Sequence, residues 1–83
     1  MITGPQMKAA RALLGIDQKE LARLSGVSLP TIQRMEICEG SVRATVDSLE
    51  KVINALNAAG VELIGTGARS DGAGRGVRLI ERK

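Results

Sequence analysis

Two short amphipathic runs, one beginning at Asp17 and one at Ser28, are separated only by a turn centred on Gly26, and this closeness leaves the chain little freedom. Asp17 followed three residues later by Glu20 is a capping-box-like start in which Asp replaces the usual Ser or Thr, and Leu21, Ala22 and Leu24 supply an inward face. Gly26 stops the run, because glycine takes the left-handed conformation without strain. Ser28 caps the next run, Pro30 is tolerated in its first turn, and Ile32 with Met35 forms its buried stripe. A link this short forces the two helices to cross steeply, and Ala22 is small where their backbones come closest.

The flanking sequence builds around that pair. Thr3 caps a first helix with Pro5 in its first turn, Met7, Ala10 and Leu14 recur on one face, and Gly15 ends it. Thr45 caps a fourth helix with apolar positions Val46, Leu49, Val52, Ile53 and Leu56, closed by Gly60. The period then changes. "VELI" at 61–64 and "VRLI" at 77–80 favour strands, and "GTGARSDGAGRG" between them reads as the long turn of a hairpin. The second and third helices thus form a helix-turn-helix inside a small helical domain.

Composition excludes most chemistry. A chain of 83 residues makes one domain with a modest core and no large pocket. It has no His, Trp, Tyr or Phe, which removes the commonest general base, the commonest zinc nitrogen ligand and every aromatic platform for stacking bases. Cys38 is the single cysteine, which suits a reducing cytosol and provides neither a disulfide framework nor a metal cluster. No catalytic residue, cofactor site or metal site is expected. No run reaches the roughly 18–20 apolar residues of a membrane span and no export signal is evident, so the expected location is cytoplasmic. "GTGARS" begins as a dinucleotide fingerprint and then has Ser70 where glycine is required, with no βαβ unit around it.

Charge is uneven. Residues 1–44 carry six Lys/Arg against four Asp/Glu, residues 45–64 one against three, and residues 65–83 five against two. Both ends are suited to a polyanion and the middle is not, although a solvated surface would show the same bias.

The run Gln18, Leu21-Ala22, Gly26-Val27-Ser28, Thr31-Ile32 and Glu36 resembles the Cro/repressor-type helix-turn-helix family of bacterial and phage transcription regulators, the XRE family. The likeness covers about residues 3–57, including Arg11 seven residues before Gln18 and the spacing of Thr45, Leu49, Val52 and Leu56. It departs in two places. Cys38 stands where the family usually has Gly after the glutamate, with Gly40 displaced by two, and the usual fifth helix is replaced by the hairpin. The expected fold is mainly α: a four-helix repressor-like helix-turn-helix domain, residues 1–60, followed by a C-terminal β-hairpin arm, residues 61–83, in the same compact unit.

The resemblance implies roles for individual residues. Leu29, Pro30, Gln33 and Arg34 would meet base edges in the major groove, where Gln bonds adenine, Arg bonds guanine and an apolar side chain touches a thymine methyl. Gln18, Lys19, Thr31 and Arg43 would meet backbone phosphate, which positions without specifying sequence. Arg11 and Glu36 would form an ion pair tying the first helix to the end of the third, while Ala22, Gly26, Ser28 and Ile32 shape the motif. Alternation leaves Val61, Leu63, Val77 and Leu79 to cover the helical core and Ile64 and Ile80 on the opposite face, where they would join two copies across a twofold axis; the competing arrangement is a dimer through the fourth helix, with the hairpin only covering the core. Arg69 and Arg75 would serve a basic arm that orders on DNA, or simply a turn. The expectation is a sequence-specific, double-stranded-DNA-binding transcriptional regulator acting as a homodimer on a palindromic operator. The alternatives are the DNA-binding antitoxin of a toxin–antitoxin pair and an interaction module that no longer binds DNA.

Overall fold

A computed structural model of the chain describes residues 2–40, 42–64 and 76–80. Helices α1 (Gly4–Leu14), α2 (Gln18–Ser25), α3 (Leu29–Ile37) and α4 (Val46–Ala59) precede strands β1 (Val61–Ile64) and β2 (Gly76–Leu79), which pair antiparallel. The expected loop and its Arg69 and Arg75 lie outside the described residues, apart from Gly76, which opens β2 one residue earlier than the apolar run suggests.

Local chemistry sets the helix ends. Thr3 Oγ1 accepts the Gln6 N–H while Gln6 Oε1 accepts the Thr3 N–H, a complete capping box. At α2 only half the box forms: Asp17 accepts the Glu20 N–H at 2.8 Å, and the Glu20 carboxylate turns to Arg23 instead. Thr45 accepts the Ser48 N–H at the start of α4. Helices α1, α2 and α4 end on glycines with positive φ, and at Gly26 (φ 73°) the left-handed turn lets α3 begin three residues later.

Helix α3 differs at both ends. Ser28 has the extended backbone of a cap, but its side chain makes no capping bond; its hydroxyl donates to Thr31 Oγ1 at 2.9 Å. At the exit, Cys38 is extended rather than left-handed, and the N-terminal segment is strapped along it. The Gly4 N–H donates to the Cys38 carbonyl at 3.1 Å and the Val42 N–H to the Ile2 carbonyl at 2.9 Å. A Cβ at Gly4 would overlap the carbonyl oxygens of Cys38 and Glu36, so only glycine permits this approach.

Met7, Ala10, Leu21, Ile32, Met35, Val52, Leu56 and Val61 form one buried core, and burying each large aliphatic side chain contributes about 1.5–3 kcal/mol. Three expected inward positions face out: Leu24 (42% exposed), Val46 (69%) and Leu79 (56%). On α2 the buried stripe runs through Leu21 and Ser25, one helical turn apart, which places Leu24 on the flank. Ser25 is accommodated because its hydroxyl donates to the Leu21 carbonyl at 2.8 Å. Val46 is the first residue of α4, one turn before Leu49 enters the core. In the hairpin Val61 is buried, and Leu63 and Val77 pack on the core, but the helical layer ends before Leu79. Ile64 and Ile80 are half-buried.

Candidate nucleic-acid interface

Burial divides α3 along its length. Ile32, Met35 and Glu36 point inward, Leu29 and Thr31 are half-buried, and Pro30, Gln33 and Arg34 stand in solvent. The outer face therefore carries a rigid apolar ring, a bidentate amide and a guanidinium within five residues. Arg34 does not swing freely: its Nη2 donates to Thr31 Oγ1 at 3.1 Å, and that oxygen also accepts the Ser28 hydroxyl. The Gln33 side chain makes no hydrogen bond among the described residues, leaving its amide able to offer both a donor and an acceptor.

Beside this face, α3 and the start of α4 enclose a cleft of about 340 Å³ lined by Thr31, Arg34, Met35, Arg43, Ala44, Thr45 and Ser48. Two guanidinium groups and three hydroxyls converge there at the N-terminus of a 14-residue helix, where the helix dipole is positive. Arg43 is exposed and makes no ion pair among the described residues. Such a lining attracts a phosphate and repels a cation.

Behind the face a buried carboxylate holds three elements together. Arg11 Nε donates to Glu36 Oε2 at 2.7 Å and Arg11 Nη2 to Oε1 at 2.8 Å, a bidentate pair, while Arg11 Nη1 reaches the Ile16 carbonyl at 3.3 Å. The Glu36 hydrogen bonds raise the Arg11 pKa above its ordinary value, against the opposing pull of burial. Gln18, the first residue of α2, donates its side-chain N–H to the same Glu36 oxygen at 3.2 Å. Gln18 is thus half-buried and turned inward, whereas Lys19 beside it is exposed. Ala22 is half-buried against the core below the α2–α3 turn, and the Gly26 N–H closes α2 on the Ala22 carbonyl at 2.9 Å.

A family model described as Helix-turn-helix matches residues 7–63, more than half of the chain. The chain belongs to the Cro/repressor-type helix-turn-helix family. No curated protein matches it. Membership makes this a DNA-binding helix-turn-helix protein of the transcription-regulator class. None of the described helices is long and apolar enough to cross a membrane. The match ends at Leu63, so most of the hairpin lies outside it.

Two residues of this regulator that organise the site escape the sequence pattern. Gly4 lets the N-terminal segment clamp the exit of α3. Gln6 does more than cap: its Nε2 donates to the carbonyls of Ile64, at 2.8 Å, and Gly76, at 3.0 Å, pinning both strands to α1. The T-x-x-Q spacing identifies Gln6 as a capping residue, but no local signal predicts carbonyl partners 58 and 70 residues away.

Proposed function

We propose that the chain is a sequence-specific transcriptional regulator that binds a palindromic operator as a homodimer, with α3 in the major groove and the hairpin arm, residues 61–83, joining the copies. The observation that carries this reading is the exposed Pro30–Gln33–Arg34 face set directly against the two-arginine cleft. One surface reads, the other grips. Leu29, half-buried at the edge of that face, contributes its apolar contact to the first base steps. Lys19 and Arg43 meet phosphates from either side of α3, and Gln18, held by Glu36, presents the N-terminus of α2 to a third. The work is binding rather than catalysis, and the setting is the cytoplasm. The two copies read half-sites about one DNA turn, roughly 34 Å, apart.

Selecting bound sequences from random duplexes tests this, followed by titration of two variants. Gln33→Ala should weaken the selected site by about 1–3 kcal/mol and leave random DNA almost unchanged. Arg43→Ala should weaken every sequence alike and flatten the salt dependence by roughly one unit. A Gln33→Ala protein with its specificity ratio intact would remove α3 from the groove.

A further inference from the structure

The outer edge of β2 carries a pattern that one chain cannot complete. The Ile80 N–H donates to the Gly60 carbonyl at 2.7 Å, extending the register Val61↔Leu79, Glu62↔Arg78, Leu63↔Val77 and Ile64↔Gly76 by one inward-bonded pair. Antiparallel pairs alternate between inward-bonded and outward-facing kinds. Glu62/Arg78 and Ile64/Gly76 are therefore inward, which agrees with Gln6 reaching the carbonyls of Ile64 and Gly76 together. Val77 and Leu79 turn their N–H and C=O groups to the open edge, where neither has a further main-chain partner among the described residues.

Two other features lie on that edge. Under Val77 is an open hollow of about 390 Å³, lined by Pro5, Gln6, Ala9 and Glu39 among others. Two residues on, and on the same sheet face, Leu79 stands 56% exposed beyond its own helical layer. Leu79 cannot fill the hollow of its own chain, because strand direction carries it away.

We propose that β2 pairs antiparallel with β2 of a second copy, giving a four-stranded sheet in which each Leu79 enters the partner's hollow. This rests on the homodimer reading above and says how the copies meet. Of the twofold registers available, one joins both outward residues of each copy: Val77 opposite the partner's Leu79, and Arg78 opposite itself on the axis. Residues directly opposite share a face, so Leu79 arrives over the partner's Val77, where the hollow is. On the other face Arg78 meets its own copy, but each Arg78 is already bonded to Glu62 at 2.8 Å, and the row of four charges sums to zero. A second copy is the occupant because edge, knob and hollow are all self-complementary about one axis. Edges of four residues bury well under the roughly 1,200 Å² of a standard interface, so the dimer in free solution is reversible and concentration-dependent.

The test uses the full chain with Cys38→Ser to remove the native thiol. In that background Arg78→Cys should form a disulfide-linked dimer under mild oxidation, since position 78, bonded toward β1, makes a non-hydrogen-bonded pair with its own copy in the new ladder, where opposed Cα atoms lie about 4.5 Å apart, within disulfide range. Val77→Cys and Leu79→Cys, each opposite the other's position, should cross-link at least tenfold more slowly. Leu79→Asp and Ala9→Leu alter exposed positions, so both should keep the native circular dichroism while sedimenting as monomers where the parent chain is dimeric. Cross-linking at 77 or 79 in preference to 78 overturns the register, and a Leu79→Asp dimer of unchanged affinity overturns the knob. If those failures accompany a dimer that Ile64→Asp dissociates, the hairpin still joins the copies through its other face. If Ile64→Asp has no effect either, both readings of the interface fall. The outcome of DNA selection bears on the operator reading alone.

Discussion

The helical half and the hairpin are held by different means. In residues 2–59 the contacts are redundant: a continuous apolar core, a carboxylate shared by α1, α2 and α3, and a strap from Ile2 and Gly4 to the exit of α3. Among its described residues the hairpin has Val61 in the core, Leu63 and Val77 against it, the exposed Glu62–Arg78 pair, the Ile80 N–H on the Gly60 carbonyl, and the Gln6 amide. A two-stranded sheet is marginal alone in water, so its order depends on what it borrows from α1 and α4. The helix-turn-helix half is held by repetition. The half proposed to join copies is placed by a few named bonds, so it can be altered without disturbing the reader.

Substitutions in each half should expose that contrast. The largest effect is expected from Arg11→Met, which leaves the Glu36 carboxylate, 2% exposed, without its bidentate partner. Breaking a buried pair on one side costs about 3–5 kcal/mol, and denaturant midpoints should fall accordingly with DNA binding lost in parallel. A midpoint within error of the parent would mean the ion pair does not hold the three helices.

Gln6→Leu should have an intermediate and local effect. It removes the side-chain N–H groups from two carbonyls and one acceptor from the Thr3 N–H, roughly 1–3 kcal/mol. Hydrogen exchange should accelerate at the ladder amides of Glu62 and Arg78 while α2 and α3 keep their protection. Uniform acceleration across all four helices would show that the two halves are not separable.

The smallest effect should come from the Glu62–Arg78 pair. Its hydrogen bond to Arg78 lowers the Glu62 pKa, so its contribution is present at neutral pH and lost only as pH falls through that lowered value. Both side chains are exposed, at 45% and 50%, and solvent screens them. Glu62→Gln should therefore leave thermal melts at neutral pH indistinguishable from the parent, and a clear drop would assign the hairpin a stabilising role that its exposure argues against.

The same contrast governs what could be read from sequence. In the helical half the signals are local. Thr3, Asp17 and Thr45 cap helices, and Gly15, Gly26 and Gly60 end them, through bonds between residues three to four apart. The helix-turn-helix geometry of α2 and α3 follows from those stops, and so does the outward face of α3. Where the local rule had a nearby competitor it failed: Thr31 drew the Ser28 hydroxyl away from capping, and Arg23 drew Glu20 from its box. In the hairpin the alternation of VELI and VRLI identified strands and faces. It could not show where the helical layer stops, which decides that Val77 is covered and Leu79 is not. Nor could it reveal Gln6, whose partners become neighbours only once the chain has folded.

The Gln6 anchor has a consequence for change over time. Because one amide fixes both feet of the hairpin, at Ile64 and Gly76, the chain between them leaves and returns at set points whatever its length. Doubling such a segment adds only about 0.6 kcal/mol of closure entropy. An insertion, an epitope or a new binding sequence grafted between Ile64 and Gly76 should therefore leave the register of the strands and the helix-turn-helix as they are.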